Sequence, residues 1–247
     1  MRAVILAAGV ASRLRPLTDR TPKCLLRIGE RTILGHTLEN LRNAGLTDLV
    51  LVTGYRAEQI RDFVAAEYAD LTVTYVHNPL YESTNNIYSL WLTRDLVAGG
   101  GILLLDSDIL FDWRILPLLA SSGAQSSLAV RHDRSLGEEE IKVKTNARGL
   151  ITAIGKDVNP AEAIGESIGI ERFRPDFVDV LFPVLEGMIC EEKRVSVFYE
   201  AAFQRAIERG AELVPVDVGS HRCIEIDTAD DLERAAHDVL PYLPGVS

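Results

Sequence analysis

Hydrophobic positions alternate along the first hundred residues between short apolar runs and stretches at helical spacing. Arg2–Ala7 is an apolar run closed by Gly9, the pattern of a buried strand. Ile33, Leu34, Leu38 and Leu41 then recur with the 3.6-residue period and predict a helix over 33–44 that Gly45 stops. Asp48–Thr53 reads as a second strand, Ile60, Phe63 and Val64 mark a second helix, and the β-branched stretch 71–76 a third strand. This βαβαβ order implies a parallel sheet covered by helices on both faces, with a ligand crevice outside the carboxyl ends of its strands. Gly9, Gly54 and Asn78 fall at those ends.

The pattern continues with a helix over 87–96, with Asn85 and Asn86 at its N-terminus, and the break Gly99-Gly100-Gly101. An apolar strand over 102–105 runs into Asp106-Ser107-Asp108, and 113–119 reads as a helix. The texture then changes. Short strands at 127–130, 140–145 and 150–154 are separated by turn signals and predict a mixed rather than a purely parallel sheet. Helices over 176–189 and 197–207, strands over 213–216 and 223–226, and an amphipathic helix over 228–240 capped by Thr228 complete the prediction.

Composition narrows the function classes. At 247 residues the chain can bury a core without staples, and one α/β domain is expected. No apolar run reaches the length of a membrane span, and the N-terminal run reads as a strand rather than a signal peptide. Cys24, Cys190 and Cys223 are widely spaced, indicate neither a disulfide framework nor a zinc site, and fit a reducing cytoplasm. A net charge of −10 argues against a nucleic-acid partner. An acidic chain that binds phosphorylated ligands has to concentrate cations at its site, which favours a divalent metal.

The opening strand supplies such a place. Ala7, Ala8, Gly9, Ala11 and Ser12 let a backbone approach a ligand closely, and Arg13, Arg15 and Lys23 add positive charge. Exposed amides and arginine forks together stabilise oxyanions. Neither GxxxxGK[ST] nor GxGxxG is present. Asp106 and Asp108, one residue apart after a strand, direct both carboxylates to one side, and Glu225 and Asp227 repeat the arrangement before the last helix. One aspartate from each strand end suits Mg²⁺, which takes one or two carboxylates plus phosphate oxygens and water.

LAAGVASRLRPLT followed by TPK resembles the signature loop of the nucleotidyltransferases that activate phosphorylated metabolites with an NTP, with Val10 and Ala11 where a second glycine is frequent. EIDTADDL is similar to that family's closing motif, and NNIYSL with DSDILF to the branch that makes CDP-activated choline and related amines. The resemblance implies a single Rossmann-like (GT-A-like) three-layer α/β sandwich with a mostly parallel, mixed sheet, its nucleotide half about 1–125 and its acceptor half about 126–247. It implies Mg²⁺-dependent transfer of CMP from CTP, or of another NTP's nucleotidyl group, to a small phosphorylated acceptor such as phosphocholine or 2-aminoethylphosphonate. Neither nucleic acid nor membrane is an expected partner, and the sequence is compatible with a homodimer.

Within that resemblance Arg13, Lys23 and Asp108 are the catalytic candidates and Asp108 and Asp227 the metal ligands, with Asp106 supporting. Leu6, Ala7, Ala8, Gly9, Ser12, Gly54, Tyr55, Asn85, Asn86, Asp106 and Ser107 are the further nucleotide-binding candidates. Lys156, Glu166, Tyr199 and Glu200 are expected at the acceptor. Glu166 and Glu200 can each pair with an ammonium group, and Tyr199, Phe198 and Trp91 or Trp113 can form part of a choline-type cage. Asn85, Asn86 and Ser89 serve the nucleotide or the acceptor, or cap the helix. The rival enzyme is a sugar- or polyol-1-phosphate nucleotidylyltransferase, whose hydroxyl-rich substrate suits Glu166 and Glu200 less well. Joint retention of Arg13, Lys23, Asp108 and Asp227 argues against a catalytically idle nucleotide-binding module.

Overall fold

The computed structural model describes residues 1–123, 125–132 and 136–243. In chain order these fold as β1 (Arg2–Ala7), a small hairpin of β2 (Arg27–Ile28) and β3 (Arg31–Thr32), α1 (Ile33–Asn43), β4 (Asp48–Thr53), α2 (Ala57–Glu67) and β5 (Thr72–His77). Next come α3 (Asn86–Trp91), α4 (Arg94–Val97), β6 (Ile102–Asp106), β7 (Ile109–Phe111), α5 (Ile115–Ser121) and β8 (Ser126–Arg131). The remainder is β9 (Lys142–Thr145), β10 (Ile151–Gly155), β11 (Gly165–Phe173), α6 (Pro175–Glu186), α7 (Glu200–Glu208), β12 (Leu213–Asp217), β13 (Cys223–Glu225) and α8 (Ala229–Arg234). No helix among the described residues is long and apolar enough to cross a membrane.

The central sheet runs β12-β8-β11-β6-β1-β4-β5, in which β11 alone is antiparallel to its neighbours. The β9–β10 hairpin joins the same sheet through Gly165 and Glu166 at the start of β11. The expected mixed, mostly parallel sheet is therefore present. Strand alternation sends its side chains into two cores. Ala3, Ile5, Leu49, Leu51, Leu103 and Leu105 pack against the apolar stripes of α1, α2 and α5. Val4, Leu6, Val50, Val52 and Leu104 pack against α3, α6 and α7. With both faces covered, β1, β4 and β6 are nearly continuous apolar runs, which is why they were legible without alternation.

Three departures from the sequence reading have local causes. The helix expected over 87–96 is broken in two at Leu92–Thr93, where the buried Thr93 hydroxyl turns back to the Leu90 carbonyl at 2.7 Å. The helix expected over 228–240 begins as α8, with a capping box between Thr228 and Asp231, and then widens into a π turn over Ala235–Val239. The three-residue β7, absent from the sequence reading, pairs antiparallel with β13. A third apolar cluster, with Leu14, Ile28, Leu110, Ile224, Ile226 and Val239, seats this pair against the opening loop and the C-terminal helical segment.

The end of β4 abuts the loop after β1. The Tyr55 amide donates to the Ala8 carbonyl at 3.0 Å, and a Cβ on Gly54 would stand 2.7 Å from that oxygen and 2.6 Å from Tyr81 Cβ. Gly54→Ala is therefore expected to cost about 1–3 kcal/mol through overpacking against backbone. Urea denaturation checks this, and an unchanged midpoint would show that the loop can yield.

Candidate active site

A cleft of about 500 Å³ opens at the carboxyl ends of β1, β5 and β6. Its floor begins where β1 ends, at Leu6, Ala7, Ala8 and Gly9. Ala11 then takes a left-handed conformation, φ 52°, and starts a 3₁₀ turn that buries Leu14 and turns Arg13 outward. The Thr18 hydroxyl donates to the Ala11 carbonyl at 2.9 Å, and the Tyr55 hydroxyl lies 2.9 and 2.8 Å from the carbonyls of Thr18 and Asp19. Gly54 and Tyr55 brace the loop from behind and lie outside the cleft lining. Ser12 also lies outside the lining.

Lys23, carried by a short turn after Pro22, donates to Asp108 Oδ2 at 2.7 Å and to Asp227 Oδ1 at 2.9 Å. Arg13 Nη2 reaches Asp227 Oδ2 at 2.9 Å. The two aspartates meet because the Ile226 amide donates to the Asp108 carbonyl at 2.9 Å, continuing the β7–β13 pairing past its end. Burial opposes a charged Lys23, but the two carboxylates outweigh it and hold its pKa above the ordinary value. Burial likewise opposes a charged Asp227, and Lys23 and Arg13 reverse the effect and lower its pKa.

Asp108, Glu225 and Asp227 offer carboxylate oxygens that lie within 4.8 Å of one another. Asp108 Oδ1 is buried and has no hydrogen-bond partner among the described residues. An oxygen-only donor set with one unsatisfied oxygen fits a hard divalent cation such as Mg²⁺. Water reaches Glu225 from the cleft, yet the protein around it desolvates its carboxyl and, with Asp108 and Asp227, pushes its pKa up to about 8. The sequence pairs Glu225 with Asp227 by alternation and leaves its role open.

Asn85, Asn86, Ser89, Asp106 and Ser107 line the cleft, most of them with structural work to do. Asn85 caps α3, Asn86 Oδ1 accepts from the Tyr199 amide at 2.8 Å, and Ser89 Oγ accepts from the buried Asn78 at 3.1 Å. Lys156 also lines it, with its ammonium 2.7 Å from Glu139 Oε2 and 5.0 Å from the centre of the Phe198 ring. The wall around Glu139, Glu140 and Ile141 was missed in sequence; the buried Lys142 fastens it by donating to the carbonyls of Gly137 and Glu140.

The acceptor candidates divide. Glu166 lines the cleft, but its Oε2 pairs with Arg131 at 3.0 Å, so it is not the ready ammonium receptor expected. Tyr199 is fully buried, its hydroxyl donating to Asp106 Oδ2 at 2.8 Å, and is no wall of a cage. Trp91 is engaged by Glu186 and by the Arg94 guanidinium, and neither it nor Trp113 reaches the cleft, which leaves Phe198 of the expected rings in the lining, together with Tyr81, which the sequence did not single out. Glu200 lines the cleft while remaining buried.

The model of the nucleotidyl transferase family matches residues 2–133. The chain is 31% identical over 95% of its length to a CMP-5'-(3-aminopropyl)phosphonate synthase of Streptomyces rubellomurinus, of which it spans only 38%. It is 36% identical to a choline-phosphate cytidylyltransferase of Haemophilus influenzae, with 98% of each chain covered. Among solved structures, a CTP:phosphocholine cytidylyltransferase from Streptococcus pneumoniae superposes with a TM-score of 0.78 at 21% identity, covering 95% of this chain and 97% of that one.

Behind the cleft the acids are buried without cations. Glu171 on β11 is 1% exposed, and burial first, then the nearby Asp106 and Glu200, holds its carboxyl well above the usual range. The same forces, with Asp108, raise Asp106, and burial raises the Tyr199 phenol beside them. A raised folded-state pKa means that the native protein keeps a proton which the unfolded chain releases. Glu171 therefore lowers stability progressively as the pH rises above the ordinary carboxyl value, until its folded pKa is reached. Glu171→Gln removes that slope, so the variant should gain on the wild type as the pH rises from 5 to 7. Urea midpoints at pH 5, 6 and 7 check this, and parallel pH profiles would contradict it.

Proposed function

The chain belongs to the nucleotidyl transferase family, and from that premise we propose that it transfers CMP from CTP to a phosphorylated or phosphonylated amine of the phosphocholine or 2-aminoethylphosphonate type, using Mg²⁺ and releasing pyrophosphate. The supporting observation is the meeting of Arg13 and Lys23 with Asp108 and Asp227 at one end of a cleft whose lining also includes Glu200. The two curated relatives named above, one for a CMP-phosphonate product and one for choline phosphate, support the cytidylyl group and the amine-bearing acceptor.

In this reading an acceptor phosphate or phosphonate oxygen attacks the α-phosphorus of CTP. The new P–O bond forms as the bond to the bridging oxygen breaks, and pyrophosphate leaves with that electron pair. No covalent enzyme intermediate is needed, so the side chains align two anions and stabilise charge on the non-bridging oxygens. The small residues from Ala7 to Gly9 let the triphosphate approach the backbone, Arg13 binds its β- and γ-phosphates, and Lys23 serves the α-phosphate and the attacking oxygen. Asp108 and Asp227, with Glu225 beside them, would hold Mg²⁺, whose chemistry is to neutralise phosphate charge. Lys156 meets the acceptor's phosphate. Nine carboxylates and three cationic side chains line this cleft, so a triphosphate would be repelled without added positive charge.

Pyrophosphate release with CTP, Mg²⁺ and a panel of amine and sugar phosphates tests the assignment. Turnover with amine phosphates or phosphonates, lost on adding EDTA, is the expected outcome, and turnover with sugar phosphates alone would overturn the acceptor class. Asp108→Ala should lower kcat/KM by at least about 10²-fold with an unchanged circular-dichroism spectrum. Near-normal Mg²⁺-dependent rates in that variant would remove Asp108 from the metal site.

A further inference from the structure

The carboxylates at the two ends of the cleft are treated differently. At the loop end, Lys23 and Arg13 neutralise Asp108 and Asp227. Farther along, Arg131 is bound to Glu166, and Lys156 to Glu139. Glu200, the first residue of α7, has no such cation paired with it among the described residues. It is 7% exposed, it lines the cleft, and its Oε2 is buried with no hydrogen-bond partner among the described residues. Its own backbone amide is its hydrogen-bond donor, and burial outweighs both that bond and the field of Lys156 to push its pKa up to about 7. The neighbouring Glu171 also has a buried Oε2 without a partner. A buried polar atom left unsatisfied in a cleft wall is a place for a donor from outside.

A trimethylammonium group has no N–H to give. It is held by the faces of several aromatic rings, and here the cleft lining provides two, Tyr81, whose ring leans on Tyr55 at 6.3 Å, and Phe198, already faced by the Lys156 ammonium. Tyr199, which would be the next ring, is fully buried with its hydroxyl committed to Asp106. The wall therefore asks for hydrogen-bond donors and offers little to a methylated cation.

Building on the acceptor class proposed above, we propose that the natural acceptor carries a primary ammonium group, whose N–H donors bind Glu200, and that Glu200 sets the preference for such an aminoalkyl phosphate or phosphonate over its N-trimethyl counterpart. The ammonium brings the positive charge and the donors that Glu200 lacks. The same contact explains why a carboxylate is kept in a wall where the fold itself gains nothing from it.

Phosphoethanolamine and phosphocholine differ only in N-methylation and make the matched test, as do 2-aminoethylphosphonate and its N-trimethyl form. With CTP and Mg²⁺, followed by pyrophosphate release, the primary amines should be favoured in kcat/KM by at least about 10²-fold, because a site built for a hydrogen bond rejects a ligand that lacks it. Glu200→Gln should raise KM for phosphoethanolamine by about 10²-fold or more, leave KM for CTP unchanged, and bring the preference close to unity. Equal or better use of phosphocholine by the wild type would overturn the proposal while leaving the cytidylyltransferase reading intact. An unchanged preference in Glu200→Gln would remove Glu200 from the role, and turnover of neither amine would overturn both readings together.

Discussion

One ammonium group ties the site together. Lys23 bonds Asp108 and Asp227, which lie 85 and 204 residues further along the chain, and without a cation between them those carboxylates would repel. Everything around this contact makes it available. β1 delivers the loop that leads to Lys23, β6 ends beside Asp108, and the β7–β13 pair with its apolar cluster brings Asp227 back from the far end of the sequence. A buried ion pair adds little stability after desolvation is counted, so its value here is in fixing position. The folding energy comes from the two apolar cores, and the charges are placed on a frame that those cores hold rigid.

What could be read from the sequence follows the range of the forces involved. β1, α1 and β4 were legible because their burial is written into local periodicity, and the opening loop because small residues and cations sit within a few positions of one another. β11 was not. Its nine residues carry two glycines, two glutamates and an arginine, and Gly169 takes φ 71° at a register shift between Ser167 and Glu171, so neither alternation nor a continuous apolar run marks it. It is a strand because β6 and β8 flank it, a tertiary fact with no local signature.

The same distinction separates the candidate residues. Residue type and spacing, together with the family resemblance, nominated Lys23, Asp108 and Asp227, but did not decide which acidic or aromatic side chains stay open to a ligand. Glu166 and Tyr199 were reasonable ammonium receptors until Arg131, 35 residues away, and Asp106, 93 residues away, took their polar atoms. Glu200 has the same residue type as Glu166, yet among the described residues no such partner folds onto its Oε2. Availability of a functional group is a property of the packed structure, and it is there that the bare sequence loses resolution.

The charges of the cleft can then be understood as a division of labour. A wall with three carboxylates for every cation looks ill suited to a triphosphate, and a uniformly acidic surface would be. At the loop end Lys23 and Arg13 stand against the aspartates, and Asp108, Glu225 and Asp227 bring carboxylate oxygens within 4.8 Å of one another, where a divalent ion could add the positive charge an anionic ligand needs. Lys23 keeps the two aspartates close. At the other end Arg131 and Lys156 pair with Glu166 and Glu139, while the buried Oε2 of Glu200 has no partner among the described residues. A ligand with an anion at one end and a cation at the other would complete both halves of the site, whereas a sugar phosphate would complete only one.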